Sequence, residues 1–410
     1  MLGKFGERYI CGLDLGSCHT KASLLKVTES SEDLIGAFEL RTRGFREASV
    51  SDLSELTECV HQTIEGLTKN TAIKLKELYL GVGGELVESR HNTTVIPLVE
   101  RGSKIIGGYD IKRINKQARF LGLKVDEEVL HDFPQYYKVD DVNTALNPLG
   151  LFGRKLEVNS LLLVSNLTKL RNITKAVNQA GYEVGGIYFT SYGALSVCSK
   201  NYTKDDIFIL VDIGWKVTDI LLITHSQIKS LIKVPLGGHH ITEGLAQSLC
   251  LSYELAEEIK KTYAIALVND PRNEEEILVK KEANYDPIKR KEIAVAIQPA
   301  IQEFLQALKE RLVATNMLEH INKGIVMVGG GALLPGLMER LEEEIRLPVN
   351  SAKMTVGTKT ATLSPVFAPV MGIAKLGIQK VWGEDFASNG NTRRMDLLLT
   401  RLRDLYQEYF

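Results

Sequence analysis

The chain has little of what marks secreted, membrane-spanning or nucleic-acid-binding proteins. Its 410 residues hold five cysteines, Cys11, Cys18, Cys59, Cys198 and Cys250, with no C-x-x-C pair among them. That sets aside a disulfide framework and leaves reduced, mostly small apolar residues of a cytosolic protein. The charge is balanced, 50 basic against 51 acidic residues with a net charge of −1. The basic character that a nucleic-acid partner needs is therefore missing. No apolar run reaches the roughly 18 residues of a membrane span. Met1 to Arg8 lacks the apolar core of a signal peptide, so a cytosolic body is expected. His239 and His240 are adjacent, not four apart, and do not make a helical metal pair. His131 stands without a partner constellation and reads as a structural or surface histidine, not a catalytic base.

What is present is a repeat. Ile207–Asp219 is an apolar strand ending in Asp212, Ile213 and Gly214, followed by a second strand from Ile220 to Thr224. Near the start, Tyr9–Lys21 gives the same order, with Asp14, Leu15 and Gly16 before a strand from Ala22 to Lys26. Each copy is a β-hairpin whose turn carries an Asp and a Gly. The Gly lets the backbone approach a ligand closely. Successive N–H groups there can cradle an anion. The Asp can hold the Mg²⁺ of a nucleotide through water. Asp14 and Asp212 are thus the candidates for Mg²⁺ and for orienting water, and two facing hairpins would clamp a triphosphate. The length allows two or more domains.

Apolar spacing predicts a helix over 52–67 and a short strand closing on Gly83 and Gly84. Residues 85–165 read as an inserted α+β module with a helix over 109–121 capped by Asp110. A helix over 167–181 ends on Gly181 as its C′ glycine. Helices follow Gly238 and span Leu255–Lys261; residues 268–290 look charged and irregular; one long helix is expected over 294–318.

A third motif, Gly324–Leu341, combines a buried strand, the glycines Gly329, Gly330 and Gly331, and a helix with Pro335 near its start. The glycines suit a flat ligand lying on backbone, with the helix N-terminus toward phosphate. Two phosphate hairpins followed by a G-G-G turn resemble the actin, Hsp70 and sugar-kinase superfamily. Within it the chain resembles the FtsA family, the bacterial actin homologues of cell division. Pro235–Thr242, the Glu257–Lys260 helix, Val328–Gly336 and Asn147–Val158 carry this likeness. The resemblance implies an α/β, two-lobed actin-like fold with duplicated ribonuclease-H-like cores and an inserted small α+β subdomain. It divides the chain into a first core at 1–84 and 166–200, the insert at 85–165, a second core at 201–235 and 321–380, and a further subdomain at 236–320.

The resemblance also assigns residues. Gly16, Ser17 and Cys18 match the first phosphate loop, and Lys21 stands where actins place a phosphate-binding lysine. Asp212 and Gly214 match the second loop, Glu257 and Lys260 an E-x-x-K pair beside adenosine and ribose, and Gly329 to Gly331 the adenosine turn. ATP and Mg²⁺ are the implied cofactors. The chain departs from the family in the second loop, where D-I-G-G-G-T-T-D is typical and this sequence has D-I-G-W-K-V-T-D. Trp215 brings a ring to where backbone should approach the γ-phosphate, and Lys216 either compensates with charge or points to solvent. The Thr190–Leu195 step also lacks a Glu or Gln to orient water. Nucleotide binding with weak or absent hydrolysis is expected.

Residues 381–392 read as a polar linker. Beyond it Met395, Leu398, Leu399, Leu402, Leu405, Tyr406, Tyr409 and Phe410 fall on one helical face, flanked by Arg401 and Arg403. This suits an amphipathic helix at a membrane surface. The family implies a peripheral protein on the inner face of the cytoplasmic membrane at the division site. It implies FtsZ bound through about 236–320, head-to-tail self-association, and other divisome proteins through about 85–165. The alternatives are a PilM-like assembly protein and a sugar-kinase-type phosphotransferase, which would need an intact second loop.

Overall fold

The two Asp–Gly hairpins begin two sheets built to one plan. In the computed structural model, which describes residues 7–28, 31–99, 102–199, 202–281, 284–352 and 364–388, each sheet has five strands. In the first, Arg8–Leu15, His19–Val27 and Glu32–Arg41 form an antiparallel meander, and Glu77–Val82 and Glu183–Phe189 extend it in parallel. In the second, Phe208–Ile213, Thr218–Thr224 and Gln227–Val234 form the meander, extended by Ile325–Val328 and Val349–Ser351. Numbered within each half, both run 3-2-1-4-5. Phe208–Ile213 and Thr218–Thr224 are buried along their whole length, as central strands covered on both faces must be.

Helix α1 (Leu53–Thr68) starts at Asp52, whose side chain accepts the Glu55 N–H, and buries Leu56, Val60, Ile64 and Leu67. The chain then leaves the first sheet to form a four-stranded antiparallel sheet, ordered Asn143–Ala145, Glu127–Val139, Lys155–Asn166 and Val87–Pro97. Helix α2 (Gly108–Leu121) lies on it, with Ile114 and Ala118 packed on Tyr137, Val139, Leu156 and Val158. Asp110 is not its N-cap. It sits a turn further in and reaches back to accept the Gly107 N–H at 3.1 Å, while Lys104 donates to its other oxygen at 2.8 Å. Helix α3 (Leu167–Gln179) closes through Gly181 at φ +94°, and α4 (Thr190–Cys198) follows the last strand of the first sheet.

His131 joins the insert to that sheet. It keeps some surface, but Phe133, Tyr188 and Tyr192 enclose its ring, and Nε2 accepts the Phe189 N–H at 2.9 Å. Enclosure, with a smaller push from Arg119, lowers its pKa to about 3. The folded chain therefore refuses a proton that the unfolded chain takes near the ordinary histidine value. Stability present above that value is lost as pH falls toward 3, by up to about 1.4 kcal/mol per pH unit. Urea titrations at pH 7 and pH 4.5 should show a large drop for the parent and a smaller one for His131→Gln. Equal drops would remove His131 from the explanation.

In the second half, α5 (Gly238–Ser248) and α6 (Tyr253–Tyr263) start the further subdomain. Residues 268–290, expected to be irregular, contain a hairpin of Glu276–Lys281 with Asn284–Lys289. Its charged composition hides the pairing, because Ile277 opposite Ile288 supplies the buried contact. The long helix expected over 294–318 is two, α7 (Arg290–Ala296) and α8 (Gln298–Val313). Pro299 explains the break: it has no N–H for the Val295 carbonyl, and its ring crowds that carbonyl. The G-G-G turn leads into a single 3-10 turn, Gly331–Leu333, and α9 (Leu337–Ile345) begins only after Gly336 at φ +81°. Pro335 thus precedes the helix, and the helix N-terminus does not follow the glycines directly.

Helix α10 (Ala368–Ser388) returns to the first half, where Ile373, Ala374 and Ile378 pack on Ile10, Leu25, Val27 and Tyr79. Residues 368–380, expected with the second core, complete the first. The helix also runs through 381–388, where a linker was expected; only Gly383 interrupts residues that a helix accepts, and the Asn–Gly cluster starts at Asn389. The rest of that linker and the membrane-binding candidates from Met395 to Phe410 lie outside the described residues.

Candidate functional site

Between the two sheets lies a cavity of about 430 Å³. The hairpins meet there because their turns fold back alike. A Cβ on Gly16 would come within 2.7 Å of the His19 carbonyl oxygen, and one on Gly214 within 2.7 Å of the Val217 oxygen. Only glycine fits at either place. Every nucleotide-binding candidate lines the cavity: Gly16, Ser17, Cys18 and Lys21 from the first hairpin, Gly214, Trp215 and Lys216 from the second, Glu257 and Lys260 from α6, and Gly329, Gly330 and Gly331. Asp14 and Asp212 stand beside them.

The substituted second turn stays closed, with the Gly214 N–H donating to the Val217 oxygen at 3.1 Å. The Trp215 ring packs toward α5 and α6, 5.2 Å from the His239 ring and edge-on to Tyr253 at 5.8 Å. Lys260 Nζ lies 5.4 Å from the Trp215 ring centre. Lys260 also donates to the Gly238 oxygen at 2.8 Å and to Thr242 Oγ1 at 2.7 Å, and pairs with Glu257 Oε2 at 2.7 Å. Lys216 Nζ reaches 4.0 Å from Glu47 of the other lobe, an exposed pair of little energetic weight.

The carboxylates are the costly part of the site. Asp14 and Asp212 are buried, and so is Asp219, which the motif contained but which was not singled out. Burial raises the Asp212 pKa to about 7, with the Asp219 charge adding and the Ser191 hydrogen bond opposing. Burial raises Asp14 as well, opposed by Lys21. Ser191 Oγ lies 2.9 Å from Asp212 Oδ2 and 3.4 Å from Asp219 Oδ2. Buried acids held this far from their ordinary range suit a bound cation, which would favour their ionised form. Among the described residues no three His, Cys, Asp or Glu side chains are grouped to chelate a metal directly. The donor set therefore fits Mg²⁺ held through its water.

The G-G-G turn has the shape a flat ligand needs. Gly329 is at φ +87°, and a Cβ there would stand 2.5 Å from Asp212 Oδ1. The Cβ position of Gly330 has nothing within 4 Å and opens on the cavity. Ser191 and Lys233 gave no local signal. Lys233 reaches Asp219 at 2.6 Å because strand register sets the two residues side by side.

Duplicated five-stranded sheets around a shared cleft place the molecule among the actin-like ATPase folds. Solved structures with this fold include the PilM–PilN type IV pilus biogenesis complex, at TM-score 0.66 and 18% identity, covering 90% of this chain and 98% of that one. The ADP-bound MreB5 of Spiroplasma citri aligns at TM-score 0.52 and 12% identity, over 93% and 99%. Among sequence families, the model for cell division protein FtsA matches residues 209–372, and that for the SHS2 domain inserted in FtsA matches 84–164. The cell division protein FtsA of Pseudomonas aeruginosa is 26% identical over 379 residues, 91% of this chain and 90% of that one. That of Bacillus subtilis is 25% identical over 348 residues, 84% and 78%. The chain belongs to the FtsA family of cell-division proteins.

Proposed function

We propose that the chain is a cell-division scaffold that binds Mg²⁺–ATP in the interlobe cleft with little or no hydrolysis. It polymerises head to tail on the inner face of the cytoplasmic membrane and anchors the FtsZ ring through about residues 236–320. Residues 85–165 serve other divisome proteins. The observation that carries the nucleotide part is the convergence of both hairpins, the G-G-G turn and the Glu257–Lys260 pair on one cavity. Asp14 and Asp212 would hold the hydrated Mg²⁺, which supplies charge neutralisation to the phosphates. Lys21 faces the phosphate end, and the backbone at Gly329–Gly331 receives adenosine. Little or no turnover is expected because the Thr190–Leu195 step holds no Glu or Gln to orient water: Thr190, which lines the cavity, offers a hydroxyl, and the Ser191 hydroxyl is engaged by Asp212.

The membrane and partner roles rest on the family and on the amphipathic sequence of 393–410. Among the described residues no helix is long and apolar enough to cross a membrane, which is compatible with peripheral attachment. The pilus-assembly reading draws on likeness of fold alone, and the two family models favour division.

The test is a Mg²⁺–ATP titration on protein lacking 393–410, beside a Trp215→Gly/Lys216→Gly variant. The parent should bind with micromolar affinity (~8 kcal/mol), because the Trp215 ring packs against α5 and α6. Failure of the parent with binding by the variant would make the altered turn a block and the chain a scaffold without ATP control.

A further inference from the structure

Strand Gln227–Val234 is the outer strand of the second sheet, where backbone groups usually face solvent. Here they are claimed from outside the sheet. The amide of Gln135, 4% exposed, donates to the Ile228 oxygen at 2.9 Å and to the Phe133 oxygen at 3.0 Å. Ser89 Oγ donates to the Leu231 oxygen at 3.2 Å. Lys233 Nζ donates to the Gly84 oxygen at 2.7 Å and to Asp219 Oδ1 at 2.6 Å, and the Gly84 N–H donates to Asp219 Oδ2 at 3.3 Å. Gln135 and Ser89 lie on strands of the insert, and Gly84 on the turn that leads into it. Asp219 belongs to the second phosphate hairpin, and Ser191 connects it with Asp212. One strand is thus tied to the insert near its start and to a cleft carboxylate near its end. An extended strand has little slack along its length.

We propose that this strand is a strut coupling the insert to the cleft, with Lys233 as the positioning residue that holds Asp219 against Gly84 and, through Ser191, fixes Asp212. A protein seated on the insert then changes nucleotide affinity, and nucleotide changes affinity for that protein by the same factor. The identity of the ligand rests on the nucleotide reading above; the mechanical link does not.

Gln135 and Lys233 lie outside the cavity lining, so their effects on binding must be transmitted. In the full chain, Lys233→Met should weaken Mg²⁺–ATP binding about tenfold, Lys233→Arg should retain most of it, and Gln135→Leu should weaken it about threefold. The double variant Gln135→Leu/Lys233→Met should be no weaker than Lys233→Met alone, because both break one path. Additive losses, or full affinity in Gln135→Leu, would overturn the coupling. Amide hydrogen exchange without nucleotide reads the strut independently of the ligand. Gln135→Leu should raise exchange at Gly84 and around Asp219 as well as near Ile228, and a rise confined to Ile228 refutes it. A parent that binds no ATP but shows the spread in exchange would discard the nucleotide reading and keep the strut. Ser89→Ala, a milder change at the insert's other contact with the strut, gives the same exchange readout if Gln135→Leu folds poorly.

Discussion

Gly329→Ala should reduce nucleotide affinity at least a hundredfold and lower stability by about 3 kcal/mol. Two costs combine at this position. The backbone is at φ +87°, a region that L-residues enter at a penalty. The new methyl would also stand 2.5 Å from Asp212 Oδ1, 2.6 Å from the Ile213 oxygen and 3.0 Å from the Ile213 carbonyl carbon. Two of those three are backbone atoms of the second hairpin, so the turn and the hairpin must part. Parting them moves the G-G-G backbone and the Asp212 carboxylate together, and with them both of the ligand contacts proposed above. Gly330→Ala is the matched control. Its φ of −68° is ordinary, and its Cβ position is open, so the thermal midpoint should hold while any loss of affinity reports the ligand alone. Calorimetric titration and urea unfolding of both variants decide the matter. A Gly329→Ala protein with parental affinity would mean that the G-G-G turn does not receive the ligand.

Gly372→Leu should cost more than 4 kcal/mol and leave little folded protein. Helices α4 and α10 touch here backbone to backbone. A Cβ on Gly372 would overlap the Gly193 carbonyl, and one on Gly193 would stand 2.7 Å from the Pro369 oxygen. Gly12 repeats the constraint on the neighbouring strand, its Cβ position 2.5 Å from the Val370 oxygen. The atoms nearest a Cβ on Gly372 are all backbone of Gly193, so the helices must separate along the crossing and uncover Ile373 and Ala374. Gly150→Leu tests the reasoning, because its Cβ position has nothing within 4 Å and only its φ of +83° is strained. It should lose about 1 kcal/mol. Urea midpoints measure both, and similar losses would mean that close packing at the crossing is not what Gly372 provides.

Much of this arrangement was legible in the residues. Both hairpins announce themselves through an apolar run, an Asp and a Gly, because a buried strand and a tight turn each demand particular residue types. The cavity lining followed from the same motifs. What escaped depended on contacts far apart in sequence. That the Trp215 ring packs beside His239 and Tyr253 is decided by residues on later helices. That Lys233 answers Asp219 is decided by pairing between strands. Nothing near residue 370 shows that α10 packs on residues 10–27. The helix break is a different kind of miss, since Pro299 was visible and apolar spacing on either side of it masked its effect.

That return of α10 fixes the order in which the protein can mature. Ile10, Leu25, Val27 and Tyr79 are synthesised before the second sheet, and the helix that covers them after it. The amino-terminal lobe therefore waits, with an uncovered apolar face, while the second sheet and its helices are synthesised and fold. A premature stop before residue 368 would spare most of the lobe nearest the break and leave the distant, first-made lobe unfinished. Nascent chains of this length class are where chaperone capture should concentrate, and release should coincide with synthesis of residues 368–378.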